Sequence, residues 1–471
     1  MRLRPLLLLG TLALGLRAGE APLHPGRELQ PFFDDYLLAE IRGVERVAGV
    51  PASRDSVLNF DRPWEGRFCA YITVLQDGGL YRLYYRGQPS AAAAAVTCYA
   101  ESDDGAHWRK PALGLHTWAG QADTNIILAG DPTASENFTP FIDRNPAALP
   151  AERYKAVGGA KQALRAFVSP DGLHWGALQP EPVFTRGEFD SQNVAFWSAA
   201  EGCYVLYFRE WAGPDRAQRT VARTTSTDFR HWTEPHVMVF DGAPPEQLYT
   251  NVTQTYYRSP LLSVAFPSRF VPGRQWLDAA EARALAVPDG REKDVSDVVF
   301  LTTRGGLHYQ RGLPGALIPP GPDPADWVGR SNMVALGLVP LPSGGMGLFR
   351  QHHYASPTNH LELYAYREDG IAYLRDTAGN GTILTKPFVA MGTGLWLNFA
   401  TSAPGSISVE VLDEAGIPLP QFSGPNAAHL CGNRVAREVT WASTTWAQLS
   451  GWPVRLRITL DDAELYSLQQ R

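Results

Sequence analysis

Four stretches of this 471-residue chain repeat nearly the same heptapeptide: SDDGAHW at 102–108, SPDGLHW at 169–175, STDFRHW at 226–232 and TRGGLHY at 303–309. Their spacing, 57 to 77 residues, suits a propeller or a solenoid. Before each heptapeptide runs a short aromatic and β-branched segment that reads as a strand: GGLYRLYYRG (78–87), ERYKAVGGA (152–160), GCYVLYFREW (202–211) and PLLSVAFPSRF (260–270). A second such run follows in each case: VTCYAES, LRAFVSP, TVARTTS and DVVFLTT. A weaker fifth unit is present in NMVALGLVPL, GGMGLFRQHHY and HLELYAYREDGI, with Asp369-Gly370 in its turn. Helical spacing is nearly absent outside LDAAEARALA (277–286).

Five units of about four strands predict a five-bladed β-propeller, because closing the ring protects strand edges that an open sheet would expose. Each heptapeptide is then a tight turn between the outer strands of one blade. Asp and Gly suit the turn, and the Trp or Tyr is expected largely buried between neighbouring blades. His107, His174, His231 and His308 recur in step with the turn. They are read as structural, since metal ligands must converge and these would lie on separate blades.

After about residue 376 the pattern changes. LWLNFATSAPGSISVEVLDEAGIPLPQF and PVRLRITLDDAELYSL alternate apolar and polar residues, the signature of a sandwich with one buried face. The expected fold is all-β, with a propeller over 22–375 and a C-terminal β-sandwich over 376–471. The opening MRLRPLLLLGTLALGLRAGEA has two arginines, an apolar stretch too short to span a bilayer and small residues suited to cleavage. It predicts a signal peptide over 1–21, and hence a secreted or periplasmic protein. No later segment is apolar enough for a membrane span. A net charge of −6 without a basic stripe disfavours nucleic acid as a partner. The four cysteines, Cys69, Cys98, Cys203 and Cys431, show no metal-binding spacing and are expected to be buried free thiols.

The repeat resembles the Asp-box of sialidases without the residue between Asp and Gly. It is closer to the S-x-D-G-x-x-W turn of the five-bladed glycoside hydrolases of families 32 and 43. FFDDYLL, WEGRFCAYITVLQDGGLYRLYYRG, ENFTPFIDRNP with ERYKAV, FDSQNVAFW and the closing LDDAELYSL resemble a group of secreted bacterial proteins described as similar to the family 32 N-terminal domain. The resemblance covers nearly the whole mature chain. It implies a propeller followed by a sandwich and a glycosidase acting on a carbohydrate. The W-x-N-D-P-N-G motif and the E-C pair of invertases are absent, so no particular activity carries over.

In a propeller, ligands sit where the innermost strands begin, so the stretches just upstream of those strands are the place to look for chemistry. Each holds an acid: Glu65 in WEGRFCAY, Glu136 in SENFTPF, Asp190 in FDSQNVAF, Glu246 in PEQLYTNV and Asp326 in DWVGRSNMV. The same stretches hold Asn137, Gln192, Asn193, Asn251, Trp64, Tyr249 and Trp327. Carboxylates, amides and aromatic platforms together describe a carbohydrate site. Glycoside hydrolysis needs two carboxylates, one as acid and one as base or nucleophile. Asp190 is expected as base or nucleophile and Glu246 as acid, with Glu65 third, all converging on one axial pocket. For each acid the competing reading is a strand cap or an ion pair with a nearby Arg.

Asp34 and Asp35 in FFDDYLL are secondary candidates. Their alternative is that this stretch is the outer strand closing the ring, with the two acids in a turn. Asp143 in FIDRNP resembles the R-D-P stretch in which invertases carry a transition-state stabiliser, or else shapes its own turn. Arg269 and Arg330 are candidates to bind a carboxylate or sulfate on the sugar. His352, His353 and His360 cluster in the fifth unit, where a satisfied structural role is expected. No cofactor is implied, although an oxygen-rich axial channel would suit Ca²⁺. A carbohydrate-binding propeller without catalysis is the alternative function.

Overall fold

The structure, a computed structural model, describes residues 21–471. The expected signal sequence, apart from Ala21, lies outside the described residues. The described residues are nearly all β, and their strands form seven sheets. Among the described residues no helix is long and apolar enough to cross a membrane. The one expected helix forms as Ala279–Ala284, where the Asp278 side chain and Glu281 cap each other's backbone N–H groups.

Four sheets follow the repeat. The first runs Ala70–Asp77, Leu80–Gly87, Val96–Ser102, Ile126–Leu128, and the second Thr139–Ile142, Tyr154–Ala160, Ala163–Ser169, Gly176–Ala177. The third runs Val194–Ser198, Cys203–Ala212, Gln218–Ser226, His236–Val237. The fourth runs Thr253–Tyr256, Ser259–Ala265, Leu301–Thr303, His308–Gln310, with Val239–Asp241 added in parallel. A small three-stranded sheet, Gln247–Leu248, Ser268–Val271 and Val295–Val298, extends beside the fourth. In the fifth sheet Val339–Pro340, Met346–His352 and His360–Tyr366 are joined by Ser53–Asn59, so the outermost strand of the last unit comes from the start of the chain. FFDDYLL is not that strand. It forms the turn between Gln30–Pro31 and Leu38–Arg42, and its Asp34 carboxylate grips the Arg304 guanidinium at 2.9 and 3.2 Å.

The first strands touch one another in sequence. Ala70–Asp77 lies against Thr139–Ile142, that strand against Val194–Ser198, and that one against Thr253–Tyr256. Leu338 N donates to Gln254 Oε1 at 3.0 Å, and Val339–Pro340 lies against Ala70–Asp77. Residues of all five strand regions, among them Val74, Phe141, Val194, Thr253 and Leu338, line one cavity of about 200 Å³.

The remaining sheet has ten strands, dominated by Leu395–Asp413 and Pro453–Gln470 paired along most of their lengths. Alternate residues Ile407, Val409, Val411 and Leu456, Ile458, Leu460 are buried in one core, as their period-2 pattern predicts. Gln30–Pro31, Leu38–Arg42 and Val44–Ala48 also belong to this sheet. The expected boundary at residue 376 therefore misses an N-terminal contribution, because Leu38–Arg42 and Val44–Ala48 find their partners in Gly381–Thr385 and Ala372–Asp376. Buried Asp369 ties this sheet to the fourth by accepting from Tyr256 Oη (2.5 Å), Ser467 Oγ (2.6 Å) and Asn398 Nδ2 (3.1 Å).

The heptapeptide builds the same turn three times. The Ser oxygen (102, 169, 226) accepts from the N–H groups two and three residues on. The Asp carboxylate (104, 171, 228) accepts from the backbone N–H groups two and three residues further on and pairs with the ring Nδ1 of His107, His174 or His231 at 2.7 Å. The residue after Asp lies at φ 78° in Gly105, 79° in Gly172 and 64° in Phe229, which explains the preference for Gly. The indoles are half-buried rather than fully buried. They do meet the preceding sheet: Trp108 packs edge-on against Phe349 and Trp175 against Tyr84. TRGGLHY departs from the scheme, as it has no Asp; His308 Nδ1 instead reaches Asp241. The cysteines are free, with Cys69 and Cys98 buried; Cys431 is exposed, contrary to expectation.

Candidate active site

The five upstream acids do not converge. Glu65 is fully buried inside the first sheet's core, where it accepts from Tyr85 Oη (2.5 Å), Lys110 Nζ (2.6 Å) and Arg62 N (3.1 Å). Glu246 is clamped between Arg269 (2.6 Å) and Arg311. Arg269 in turn holds Asp297, so it is not free for a ligand. Asp326 is buried with Arg350 and His352. Burial works against its charge, but the His352 hydrogen bond and Arg350 hold its carboxyl below the usual range. Asp143 is buried against Lys155 and the Tyr204 hydroxyl. Asp35 pairs with Arg46.

The amides and indoles are mostly structural as well. Asn137 bonds both ways with Gly159 and donates to Phe189 O. Asn193 donates to Phe189 O and Ser191 O. Asn251 accepts from Thr253 N and donates to Tyr207 O. Trp64 is buried on Asn125, and Trp327 donates to Gly321 O while stacking on Trp276.

Of the five acids only two have open carboxylates: the side chain of Asp190 is 58% exposed and that of Glu136 42%. Both sit on arginines of one cluster at the start of the first strands. At its centre is Tyr71. A bulge between Ala70 and Thr73 gives Tyr71 a φ of 54°, an outlying value for a bulky residue, and re-aims its ring. Its hydroxyl meets that of Tyr249 at 3.0 Å and the Asp190 carbonyl at 3.5 Å. Burial raises its pKa well above that of a free tyrosine. Gln192 reaches across to the same strand, donating to Ile72 O at 3.2 Å. Phe68, Phe270, Met333 and Tyr354 complete the apolar cluster.

Five arginines each lie over a ring of this region. Arg86 covers Tyr71, Arg330 covers Tyr249, Arg291 covers Tyr354, and Arg209 and Arg219 lie over Trp211, at 4.8 to 5.3 Å from the ring centroids. Arg86 holds Glu136 and Arg209 holds Asp190. Among the described residues Arg219, Arg291 and Arg330 form no ion pair. Burial followed by repulsion from Arg209 and Arg330 lowers the pKa of Arg219, and burial followed by Arg330 lowers that of Arg291. The surplus of guanidinium groups on aromatic faces has the chemistry to hold a negatively charged, ring-shaped ligand.

Arg86, Arg209, Arg219, Arg291, Tyr71 and Tyr354 lie outside the residues expected from the sequence, because they sit within the strands or beyond the stretches just upstream of them. A signal was present: LYYRG (83–87), LYFRE (206–210) and GLFRQ (347–351) place an Arg at the same point of the second strand. Arg86, Arg209 and Arg350 reach acids upstream of first strands, namely Glu136, Asp190 and Asp326.

No family model matches this chain. An uncharacterized protein of Mycobacterium tuberculosis is 29% identical over 114 residues, 23% of this chain and 34% of that protein. The match thus spans about a third of that relative. Solved structures that resemble the chain include the following three. One is a glycoside hydrolase family 43 arabinoxylan arabinofuranohydrolase from Bacillus subtilis (10% identity, 88% of this chain and 98% of that one, TM-score 0.38). Another is a glycosyl hydrolase from Bacteroides ovatus (14%, 70% and 97%, 0.39). The third is an N-acetylgalactosamine deacetylase from F. plautii (13%, 95% and 95%, 0.36).

Proposed function

We propose that the chain is an exported five-bladed β-propeller with an accessory sandwich, and that it hydrolyses a glycan carrying carboxylate or sulfate groups. The neighbouring first strands, the cavity they line together and the closing strand Ser53–Asn59 support the ring. The observation that carries the function is the cluster of five arginines over Tyr71, Tyr249, Tyr354 and Trp211 with Asp190 and Glu136 open at its edge. Aromatic faces bind the apolar side of a sugar ring, and the unpaired guanidiniums bind its anionic substituents. Asp190 and Glu136 are the acid/base or nucleophile pair, with their separation setting retention or inversion.

A non-catalytic glycan-binding role is favoured by one observation: each open carboxylate already contacts an arginine. Product analysis separates the two. The purified protein is incubated with acidic and neutral polysaccharides, and Asp190→Asn and Glu136→Gln are compared with wild type. Hydrolysis predicts new reducing ends from an acidic glycan and a loss of about 10²–10⁴-fold in each variant. Saturable binding without products would leave the binding role alone. Equal turnover by both variants would remove them from the mechanism.

A further inference from the structure

A second cluster of reactive groups lies in the fifth sheet, around a pocket of about 380 Å³. His352 ends one strand and His360 begins the next, directly opposite, with Glu362 two residues further on. The imidazoles of His352 and His360 stack with centroids 5.2 Å apart and planes 14° from parallel. Their side chains and that of Glu362 are at most 23% exposed.

The groups facing the two rings are carboxylate or carbonyl acceptors, apart from the Tyr364 hydroxyl, which can donate. His352 Nδ1 lies 2.8 Å from the Asp326 carboxylate and its Nε2 lies 2.8 Å from Glu362 Oε2. The Tyr364 hydroxyl is further from Nε2, at 3.3 Å. His360 Nδ1 lies 2.8 Å from Thr358 O and its Nε2 lies 3.4 Å from Glu362 Oε1. A neutral imidazole has one N–H, and neither a carboxylate nor a carbonyl donates. Once each Nδ1–H is given to Asp326 or Thr358, both Nε2 lone pairs face the same carboxylate. A divalent cation placed between them would take both Nε2 lone pairs and the carboxylate as ligands.

We propose that His352 Nε2, His360 Nε2 and the Glu362 carboxylate bind a divalent transition-metal ion of the zinc class. The facing atoms lie within 4.8 Å of one another. Tetrahedral zinc, with bonds of about 2.0–2.2 Å, sets its ligands roughly 3.3 Å apart, so small side-chain shifts suffice. Asp326 is placed behind His352 as the carboxylate that fixes the ring's tautomer, and is itself held by Arg350 at 3.0 Å and Ser331 Oγ at 3.3 Å. Two histidines and one carboxylate leave a fourth position, which opens to the pocket shared with His353 and Asp323. This site is independent of the arginine cluster, and its existence does not depend on glycan hydrolysis.

The test uses the full-length protein stripped with a chelator, dialysed and titrated with Zn²⁺ calorimetrically, with bound metal counted after gel filtration. One equivalent is expected, with a rise in Tm that the chelator reverses. Zinc X-ray absorption should report two imidazole nitrogens and carboxylate oxygen. His360→Gln and Glu362→Gln should abolish retention, and Asp326→Asn should weaken binding by about 10–100-fold. If a variant fails to fold, Co²⁺ substitution of the wild type replaces it: tetrahedral visible bands with imidazole ligation are expected. No retained zinc in the wild type, or unchanged retention in folded His360→Gln, overturns the proposal.

Discussion

Replacing Glu65 distinguishes a carboxylate that supports the fold from one that acts on a ligand. Its side chain is inaccessible to solvent and accepts from Lys110 Nζ, the Tyr85 hydroxyl and Arg62 N. Lys110 is itself only 8% exposed. Glu65→Ala removes three hydrogen bonds, two of them short, and leaves Lys110 with Asp61 and Asn59 O alone. Removing one partner of a buried pair costs about 3–5 kcal/mol. At an unfolding entropy of about 2.1 cal/mol/K per residue, a unit of roughly 350 residues shifts by about 1.4 °C per kcal/mol, so Tm should fall by roughly 4–7 °C. The double variant Glu65→Leu/Lys110→Met should recover part of that loss, because it leaves no unpaired buried charge; Asp61, which loses its partner, is exposed. Calorimetry of the three proteins, with glycan binding measured well below the lowered Tm, is the assay. An unchanged Tm in Glu65→Ala together with lost binding or turnover would refute the structural role and return Glu65 to the site.

Other outcomes follow from the repeated turn and from the rim. Gly172→Ala places a Cβ 2.7 Å from the Tyr84 hydroxyl at a φ of 79°, and should cost about 1–3 kcal/mol in denaturant unfolding. Phe229→Gly relieves a left-handed residue, worth about 1–2 kcal/mol, but deletes a fully buried ring worth about 3–5, so it should destabilise on balance. The His107 backbone N–H and then its ring hold the Asp104 carboxyl far below the usual range. In Asp171 and Asp228 burial opposes the same bonds, and the bonds prevail. A carboxyl with a lowered folded pKa stabilises the fold above its unfolded value near 3.9, and this stability is lost as pH falls below that. Tm measured from pH 6 to pH 2 should therefore fall less steeply in the Asp104→Asn/Asp171→Asn/Asp228→Asn variant than in wild type. Asp190→Asn keeps an oxygen that can accept from the buried Arg209 guanidinium but removes the charge, and should cost about 1–3 kcal/mol in denaturant unfolding.

The strands were legible in the sequence because each carries its own local signal. Aromatic and β-branched runs such as LYRLYYRG need only their neighbours to declare a strand, and Ser102, Asp104 and Gly105 specify their turn without help from elsewhere. The N-terminal strand Ser53–Asn59 was not legible, since its partner is 300 residues away and its sequence SRDSVLN is largely polar. The acids upstream of the first strands were found but misassigned. Position along a strand gives the end of the sheet, whereas direction is set by partners: Tyr85 and Lys110 draw Glu65 inward, and Arg269 and Arg311 enclose Glu246. Tyr71 was hidden for a different reason, since only its bulge aims it at Tyr249.

The charge of the ligand is the most direct test of the site. A uronic-acid trisaccharide and its carboxyl-reduced neutral counterpart differ only in the groups that Arg219, Arg291 and Arg330 are placed to hold. Calorimetric titration of both into the wild type at low salt should give saturable binding of the acidic sugar, at least tenfold tighter than that of the neutral one. That preference should be lost in Arg330→Gln, whose guanidinium covers Tyr249. Equal affinity for the two sugars, or an undiminished preference in a folded Arg330→Gln protein, would contradict the account.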